Sequence, residues 1–288
     1  MINFIVNIKS GKGRGERTLK KLREYCSKNN IEYTAHITES VGHATRIAKV
    51  LNSEKVKTIV AVGGDGTFSE VLNGIDCFDT TALGFIPAGR GNDYARAARL
   101  KLKPLDALKD ILRGEICCTD YIDVSGKRCL NVAGSGLDVA VLERVAGKSD
   151  KLSYLKSLWW CLNNYKPYNF NIKIDDSDEV INHDCVMVGV CNGTAIGGGI
   201  KLSPKSKIDD GKLNLIIMLP PKNLLNALLT FKKGKHMDKY YTKHYLCESV
   251  SVECTSEHQA IQLDGEISKE LKLCCRVVKG GIRTFKIR

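Results

Sequence analysis

Apolar and polar positions change their period near residue 117. Before that point, short apolar runs alternate with stretches whose apolar residues recur every three or four positions. "INFIVNI" (2–8), "IEYTAHIT" (31–38), "VKTIVAVG" (56–63) and "TALGFIP" (81–87) read as strands. "GERTLKKLREYCSKNN" (15–30) carries Leu19, Leu22 and Tyr25 at helical spacing, and helices also fit 42–53, the stretch from "TFSEVLNGI", 92–100 and 104–114. Strand and helix in alternation predict parallel βαβ units.

Beyond residue 117 the runs are strand-like with turn signals between them, such as Ser125-Gly126 and Asp210-Gly211. Two helical stretches interrupt, "DKLSYLKSLWWCLNNY" (150–165) and "KNLLNALLTFKKGK" (222–235). The expected fold is α/β followed by mostly β. An N-terminal nucleotide-binding domain with a parallel sheet would cover 1–116. An antiparallel β-sandwich-like domain with inserted helices would cover 117–288, with its last residues free to return to the first domain. No internal repeat or low-complexity linker is visible.

Composition narrows the class. The chain has 288 residues, 44 Lys and Arg against 32 Asp and Glu, and a formal charge of +12. That balance favours an anionic partner: nucleic acid, nucleotide or an anionic membrane surface. Paired Cys/His fingers and aromatic ribonucleoprotein signatures are missing from the sequence, which argues against nucleic acid. No apolar run reaches the roughly 20 residues of a membrane span. "MINFIVNIKSGKG" reads as a strand rather than a signal peptide, so a cytoplasmic protein is expected. The 12 cysteines contain no CxxC pair. Adjacent Cys117-Cys118 and Cys274-Cys275 should alternate between strand faces, as reduced structural thiols.

Candidate chemistry gathers where strands end. "IVAVGGDGTFSEVLNG" (59–74) sets Gly63, Gly64, Asp65 and Gly66 between an apolar strand and a helix. Glycines let backbone approach a phosphate, and the helix start adds a positive field. An acid there fits a divalent cation lying between it and the phosphates; a tight turn with an N-cap Asp fits as well. The phosphate motif GxxxxGK[ST] is not present: Gly147-Lys148-Ser149 has Leu142 where the first glycine belongs. "GKGRGE" (11–16) is not GxGxxG, and no protein-kinase catalytic-loop signature occurs. Four further clusters stand at strand ends: "NIKSGKG" (7–13), "IPAGRGNDYAR" (86–96), "GGGIKLSPKSKIDDGKL" (197–213) and "LDGE" (263–266). Each alone fits an ordinary turn or cap.

In order, these clusters resemble the diacylglycerol kinase catalytic-domain family of lipid kinases, which also includes sphingosine and ceramide kinases. GGDGT followed by Glu70, Val71, Asn73 and Gly74 carries the resemblance, with "IPAGRGNDYAR", "GSGLDVAV" (134–141) and the late "DGE". The resemblance covers nearly the whole chain. It implies catalysis in a cleft between two domains, with ATP and Mg²⁺ as cofactors. ATP contacts carry over to Asn7, Ile8, Lys9, Ser10 and Gly11, to Thr38, to Gly64, Asp65, Gly66, Thr67, Phe68, Ser69 and Glu70, and to Arg90. A structural Mg²⁺ carries over to the Asp210 side chain and the carbonyls of Lys207 and Lys212. The proton acceptor carries over to Glu266, with Asp264 beside it, and Asp65 would orient a catalytic Mg²⁺.

Two departures stand out: Ile8 replaces the family's usual Pro, and Arg90 replaces its usual Thr. The implied reaction moves the γ-phosphoryl of ATP to a lipid alcohol, with diacylglycerol giving phosphatidic acid as the favoured case. A soluble-substrate kinase of the NAD kinase type and a nonenzymatic nucleotide-binding regulator are the alternatives. For membrane contact, "KNLLNALLTFKKGKHMDK" places Leu224, Leu225, Leu228, Leu229 and Phe231 near Lys232, Lys233 and Lys235. Packing on its own domain is the other reading of that helix. Trp159 and Trp160 fit a lipid pocket, an interfacial anchor or a core. A homodimer is carried as an open option.

Overall fold

The computed structural model describes residues 1–145, 151–164, 166–256, 260–268, 270 and 272–286, without side chains at 151–155, 162, 224, 225, 228 and 232. The chain forms two compact units, Met1–Tyr121 with Lys279–Arg288, and Ile122–Val278.

The first unit runs β1 (Ile2–Val6), α1 (Ser10–Lys28), β2 (Tyr33–Ile37), α2 (His43–Ser53), β3 (Thr58–Gly63), α3 (Asp65–Gly74), β4 (Ala82–Pro87), α4 (Asp93–Ala97) and α5 (Pro104–Arg113). Its four strands form a parallel sheet in the order β2-β1-β3-β4. The continuous apolar runs of β1, β3 and β4 follow from burial on both faces. Leu19, Leu22 and Cys26 of α1 and Ala107, Leu108 and Ile111 of α5 pack with Phe4, Val6, Val60 and Val62 in one core. Phe285 joins this core, and the Thr284 hydroxyl donates to the Leu83 carbonyl at 2.7 Å.

Helix α4 is shorter than the expected 92–100. Arg99 turns left-handed at φ 54, and the Leu100 N–H closes back on the Ala95 carbonyl at 2.7 Å. That is the geometry with which a helix ends.

The second unit begins within β5 (Ile116–Val124). It continues through β6 (Lys127–Cys129), β7 (Val132–Gly136), α6 (Leu137–Val145), α7 (Lys151–Asn164), β8 (Tyr168–Ile174), β9 (Ile181–Cys185), β10 (Met187–Cys191), β11 (Leu213–Met218), α8 (Leu224–Lys232), β12 (Thr242–Cys247), β13 (Ser249–Cys254), β14 (Ile261–Leu263) and β15 (Glu266–Ser268) into β16 (Lys272–Phe285). The sheets are ordered β12-β11-β10-β7-β14-β15 and β6-β5-β16-β13-β8-β9. Phe170, Ile172, Val250 and Val252 from the second sheet pack with Val188, Val190, Leu215 and Ile217 from the first, which makes an antiparallel sandwich. Helix α6 was not expected: "LDVAVLERV" follows "GSG" as a helix, in addition to the two anticipated.

All 12 cysteines are free thiols, and seven are buried. Cys274 is exposed while neighbouring Cys275 is buried, as alternation along β16 requires. Burial pushes the Cys185 and Cys247 thiols up to about 12, so both remain protonated and inert near neutrality.

Candidate functional site

The parallel sheet of the first unit ends in loops that touch one another. Asn7, just past β1, donates from Nδ2 to the Thr67 hydroxyl at 3.2 Å, and its own Oδ1 accepts from the Lys9 N–H at 3.1 Å. Ser10 reaches the Ala88 carbonyl at 3.5 Å. Gly11, Lys12 and Gly13 all take left-handed backbone, at φ 58, 59 and 78, so α1 starts with a tight turn rather than a straight helix. A side chain on Gly11 would meet the Ala88 carbonyl oxygen at 2.2 Å. The first glycine turn therefore lies directly against the loop after β4. Ile8 and Lys9 are half-buried and exposed in this turn. Thr38 is buried at the end of β2, its N–H bonded to the Val6 carbonyl at 2.9 Å.

The second and third loops pack backbone to backbone. A Cβ on Gly89 would lie 2.4 Å from the Gly64 Cα. Asn92, at φ 52, accepts from the Gly89 N–H at 3.0 Å through Oδ1 and so holds that loop in shape. Asp65 opens α3 half-buried, and its Oδ1 accepts from the Tyr94 N–H at 3.1 Å, across to the first turn of α4. Tyr94 is fixed by its ring, stacked on Phe68 at 4.7 Å, and Phe68 is stacked in turn on Phe85 at 4.5 Å. Phe68 is thus a core side chain. Gly66 is exposed in the first turn of α3, Ser69 is half-buried further along it, and Thr67 is buried against Asn7. The Glu70 carboxylate accepts from the Ala44 N–H at 3.2 Å and caps α2. Arg90 is exposed on the loop after β4.

In the second unit the late acids separate into different environments. Asp264 and Gly265 form the two-residue turn between β14 and β15, both at positive φ (50 and 90). That is the turn an Asp-Gly pair favours in a hairpin. The Asp264 carboxylate accepts from the Leu130 N–H at 2.6 Å through Oδ2, and from Asn131 and Val132 at 2.7 and 3.1 Å through Oδ1. Burial raises its pKa, and the three N–H groups pull it back. Glu266, two residues on, is exposed at the start of β15. The Gln262 side chain accepts from the Gly265 N–H at 2.8 Å and braces the turn from inside.

Behind Gln262 lies a residue that sequence reasoning passed over. Asp138 is half-buried in α6 with both carboxylate oxygens shielded from solvent, and neither has a hydrogen-bond partner of good geometry among the described residues. Burial raises its pKa to about 6, and the Val139 N–H and the Gln262 amide offset this only in part. Its place in "GSGLDVAV" was the available signal.

Asp210 is exposed in the turn before β11, with Oδ1 accepting from the Lys212 N–H at 3.0 Å. The Lys212 ammonium lies 2.8 Å from Glu248. Lys207 is exposed three residues earlier. One carboxylate with main-chain carbonyls is an all-oxygen donor set, the hard chemistry that suits Mg²⁺. Trp159 and Trp160 are 68% and 44% exposed, and Arg144 lies over the Trp160 ring at 3.8 Å, so neither ring is a core residue. On α8, Ala227 is buried, Leu229 is exposed and Phe231 stacks on His236 at 4.2 Å. Leu224, Leu225, Leu228 and Lys232 of the anticipated membrane face lie outside the described side chains.

Comparison with known proteins agrees with this architecture. The model of the diacylglycerol kinase catalytic domain matches residues 1–124, and that of the YegS C-terminal NAD kinase beta sandwich-like domain matches 131–286. A protein of Staphylococcus saprophyticus named diacylglycerol kinase is 31% identical over 279 residues, covering 93% of this chain and 89% of its own. A diacylglycerol kinase structure from Bacillus anthracis superposes with a TM-score of 0.76 at 22% identity, over 99% of this chain and 96% of that one. Yeast NADH kinase superposes with a TM-score of 0.57 at 10% identity, over 100% and 84%. Both structural likenesses speak for the fold alone. The two matched domains and the relative together show that this chain belongs to the diacylglycerol kinase catalytic-domain family of lipid kinases.

Proposed function

We propose that the protein transfers the γ-phosphoryl group of ATP to the hydroxyl of diacylglycerol, giving phosphatidic acid. The observation that carries this is the closure of the glycine loops on one another at the carboxyl ends of β1, β3 and β4, held by Asn7–Thr67, Asp65–Tyr94 and the Gly64–Gly89 contact. Open parallel sheets bind ligands at that edge. Phosphoryl transfer depends mainly on positioning and charge stabilisation, which a rigid glycine cradle supplies. On this reading 1–116 is the ATP-binding domain and 117–288 the lipid-substrate domain, with the terminal residues returned to the first.

Asn7 to Gly11, Thr38, Gly64 to Glu70 and Arg90 surround the nucleotide. Thr67 and Asn7 order the loop, Glu70 ties it to α2, and Phe68 acts through the packing that holds Tyr94 near Asp65. Asp65 would orient a catalytic Mg²⁺, which when bound would offset phosphate charge; the Asp210 side chain with the Lys207 and Lys212 carbonyls would hold a separate, structural Mg²⁺. Glu266, exposed, takes the proton of the lipid hydroxyl. Asp264, whose oxygens are occupied by three N–H groups, shapes the turn that presents it.

The enzyme meets its lipid at a membrane surface. The exposed Trp159, Trp160 and Leu229 supply apolar contacts, and Lys233 and Lys235 attract anionic headgroups. No helix among the described residues is long and apolar enough to cross a membrane. An assay with γ-labelled ATP against a panel of lipid alcohols tests the substrate, with NAD as control. Label in phosphatidic acid is the expected outcome. Label in NADP, or in another lipid to the exclusion of diacylglycerol, would reject the assignment.

A further inference from the structure

We infer a second anion site in the first unit, for a pyrophosphate or phosphomonoester group, on the face of the sheet that α1 and α5 cover. A cavity of about 280 Å³ opens between α1, the loop after β4, α4 and the start of α5. Arg14, Arg17, Lys21, Arg90 and Arg96 line it, and no carboxylate does. Against a chain with 32 acids to 44 bases, five cations without an acid is a marked local excess. Positions 14, 17 and 21 recur at helical spacing, so one face of α1 presents all three.

The arginines are held in place. Arg14 Nη1 donates to the Gly89 carbonyl at 2.7 Å, and Arg96 Nε donates to the Gly91 carbonyl at 3.1 Å. Each guanidinium is anchored on the loop by one N–H and has further donors, in the fork that matches a phosphate. Arg14, Arg17, Lys21 and Arg96 have no carboxylate partner among the described residues. Like charges around one cavity repel, and a bound anion relieves that repulsion. A water molecule occupies roughly 30 Å³, so the cavity has room beyond a single phosphate. Gly64 to Glu70 contribute nothing to its lining, and Arg90 is the one residue of the proposed nucleotide site that also lines it, so the two sites adjoin at the loop after β4.

The ligand's phosphate can be free in solution or part of a lipid headgroup, and the experiment separates the two. Pyrophosphate is titrated at constant ionic strength into the full chain, with its nucleotide site saturated by a nonhydrolysable ATP analogue, and binding is followed calorimetrically. Saturable binding is expected. Arg17→Gln with Lys21→Gln should weaken it about ten-fold or more, because each change removes a charged hydrogen-bond donor. The affinity for the ATP analogue should stay within about two-fold, and the melting temperature should confirm that the double variant is folded. In parallel, flotation with phosphatidylcholine vesicles with and without phosphatidic acid reads the lipid source, and pyrophosphate should displace any vesicle binding that the double variant loses. Variant-sensitive binding in either arm supports the site and names its source. Binding in neither arm, binding indifferent to the double variant, or pyrophosphate binding abolished by saturation with the ATP analogue would overturn it.

Discussion

The Asp65 carboxylate accepts a hydrogen bond from the Tyr94 backbone N–H at 3.1 Å. This single contact joins the first residue of α3 to the first turn of α4, and so joins the two glycine motifs. It also gives the acid a structural employment alongside the proposed chemical one. A neutral amide keeps an acceptor oxygen at that point, so substitution separates the two roles.

Asp65→Asn should retain a melting temperature close to wild type and lose nearly all turnover. Asp65→Ala should lose turnover and stability together, by about 1 kcal/mol for a missing helix cap. Calorimetry and a steady-state assay at saturating Mg²⁺ read the two effects. Wild-type kcat in Asp65→Asn would leave the carboxylate with its capping role alone.

Gly89→Ala tests the contact between loops. Its Cβ would stand 2.4 Å from the Gly64 Cα, which is backbone and cannot rotate away. The loops must part, and the nucleotide cradle with them. A rise in KM for ATP of about ten-fold or more is expected, with a smaller change in KM for the lipid. Unchanged ATP kinetics would remove the Gly64–Gly89 contact from the nucleotide site.

Asp138 predicts a pH dependence of stability. Its folded-state pKa, about 6, lies above the ordinary 3.8. Between these values the folded chain binds the proton more tightly than the unfolded chain, so stability falls as pH rises through about 4 to 6 and stays reduced above. At 1.36 kcal/mol per pKa unit the cost near neutrality is about 3 kcal/mol. Asp138→Asn removes the charge without changing shape. It should melt higher than wild type at pH about 7.5, with the advantage shrinking towards pH about 4. An equal difference at both pH values would show that burial of charge is not the cause.

The βαβ half was legible because β1, β3 and β4 are apolar runs between helices of clear period, and the glycine loop because Gly64, Asp65 and Gly66 stand at a strand end. The partner of Asp65 was not legible, since Tyr94 lies 29 residues away and donates from its main chain. Helix α6 was missed because a valine-rich run of nine residues satisfies strand and helix patterns alike. The exposure of Trp159 and Trp160 could not be read either, because an adjacent aromatic pair has the same spacing in a core and on a surface.

The last prediction concerns Asp264 and Glu266, which the sequence presents as interchangeable. The turn between β14 and β15 sets them apart: Asp264 turns in to three backbone N–H groups, and Glu266 stands exposed. Removing a general base typically lowers the rate by about 10²- to 10⁴-fold. Glu266→Gln should therefore lose kcat on that scale, keep ATP affinity, and melt near the wild-type temperature. Asp264→Ala deletes three charge-assisted hydrogen bonds and leaves buried donors unpaired, at a cost of about 3 kcal/mol or more. Its signature is a large fall in melting temperature, with any loss of kcat a consequence of a misplaced turn. Asp264→Asn keeps one acceptor oxygen but sets an amide NH₂ against N–H donors, so it should fall between the two in stability. Measuring kcat and melting temperature for all three variants separates the roles. A stable, inactive Asp264→Asn beside a fully active Glu266→Gln would transfer the base to Asp264.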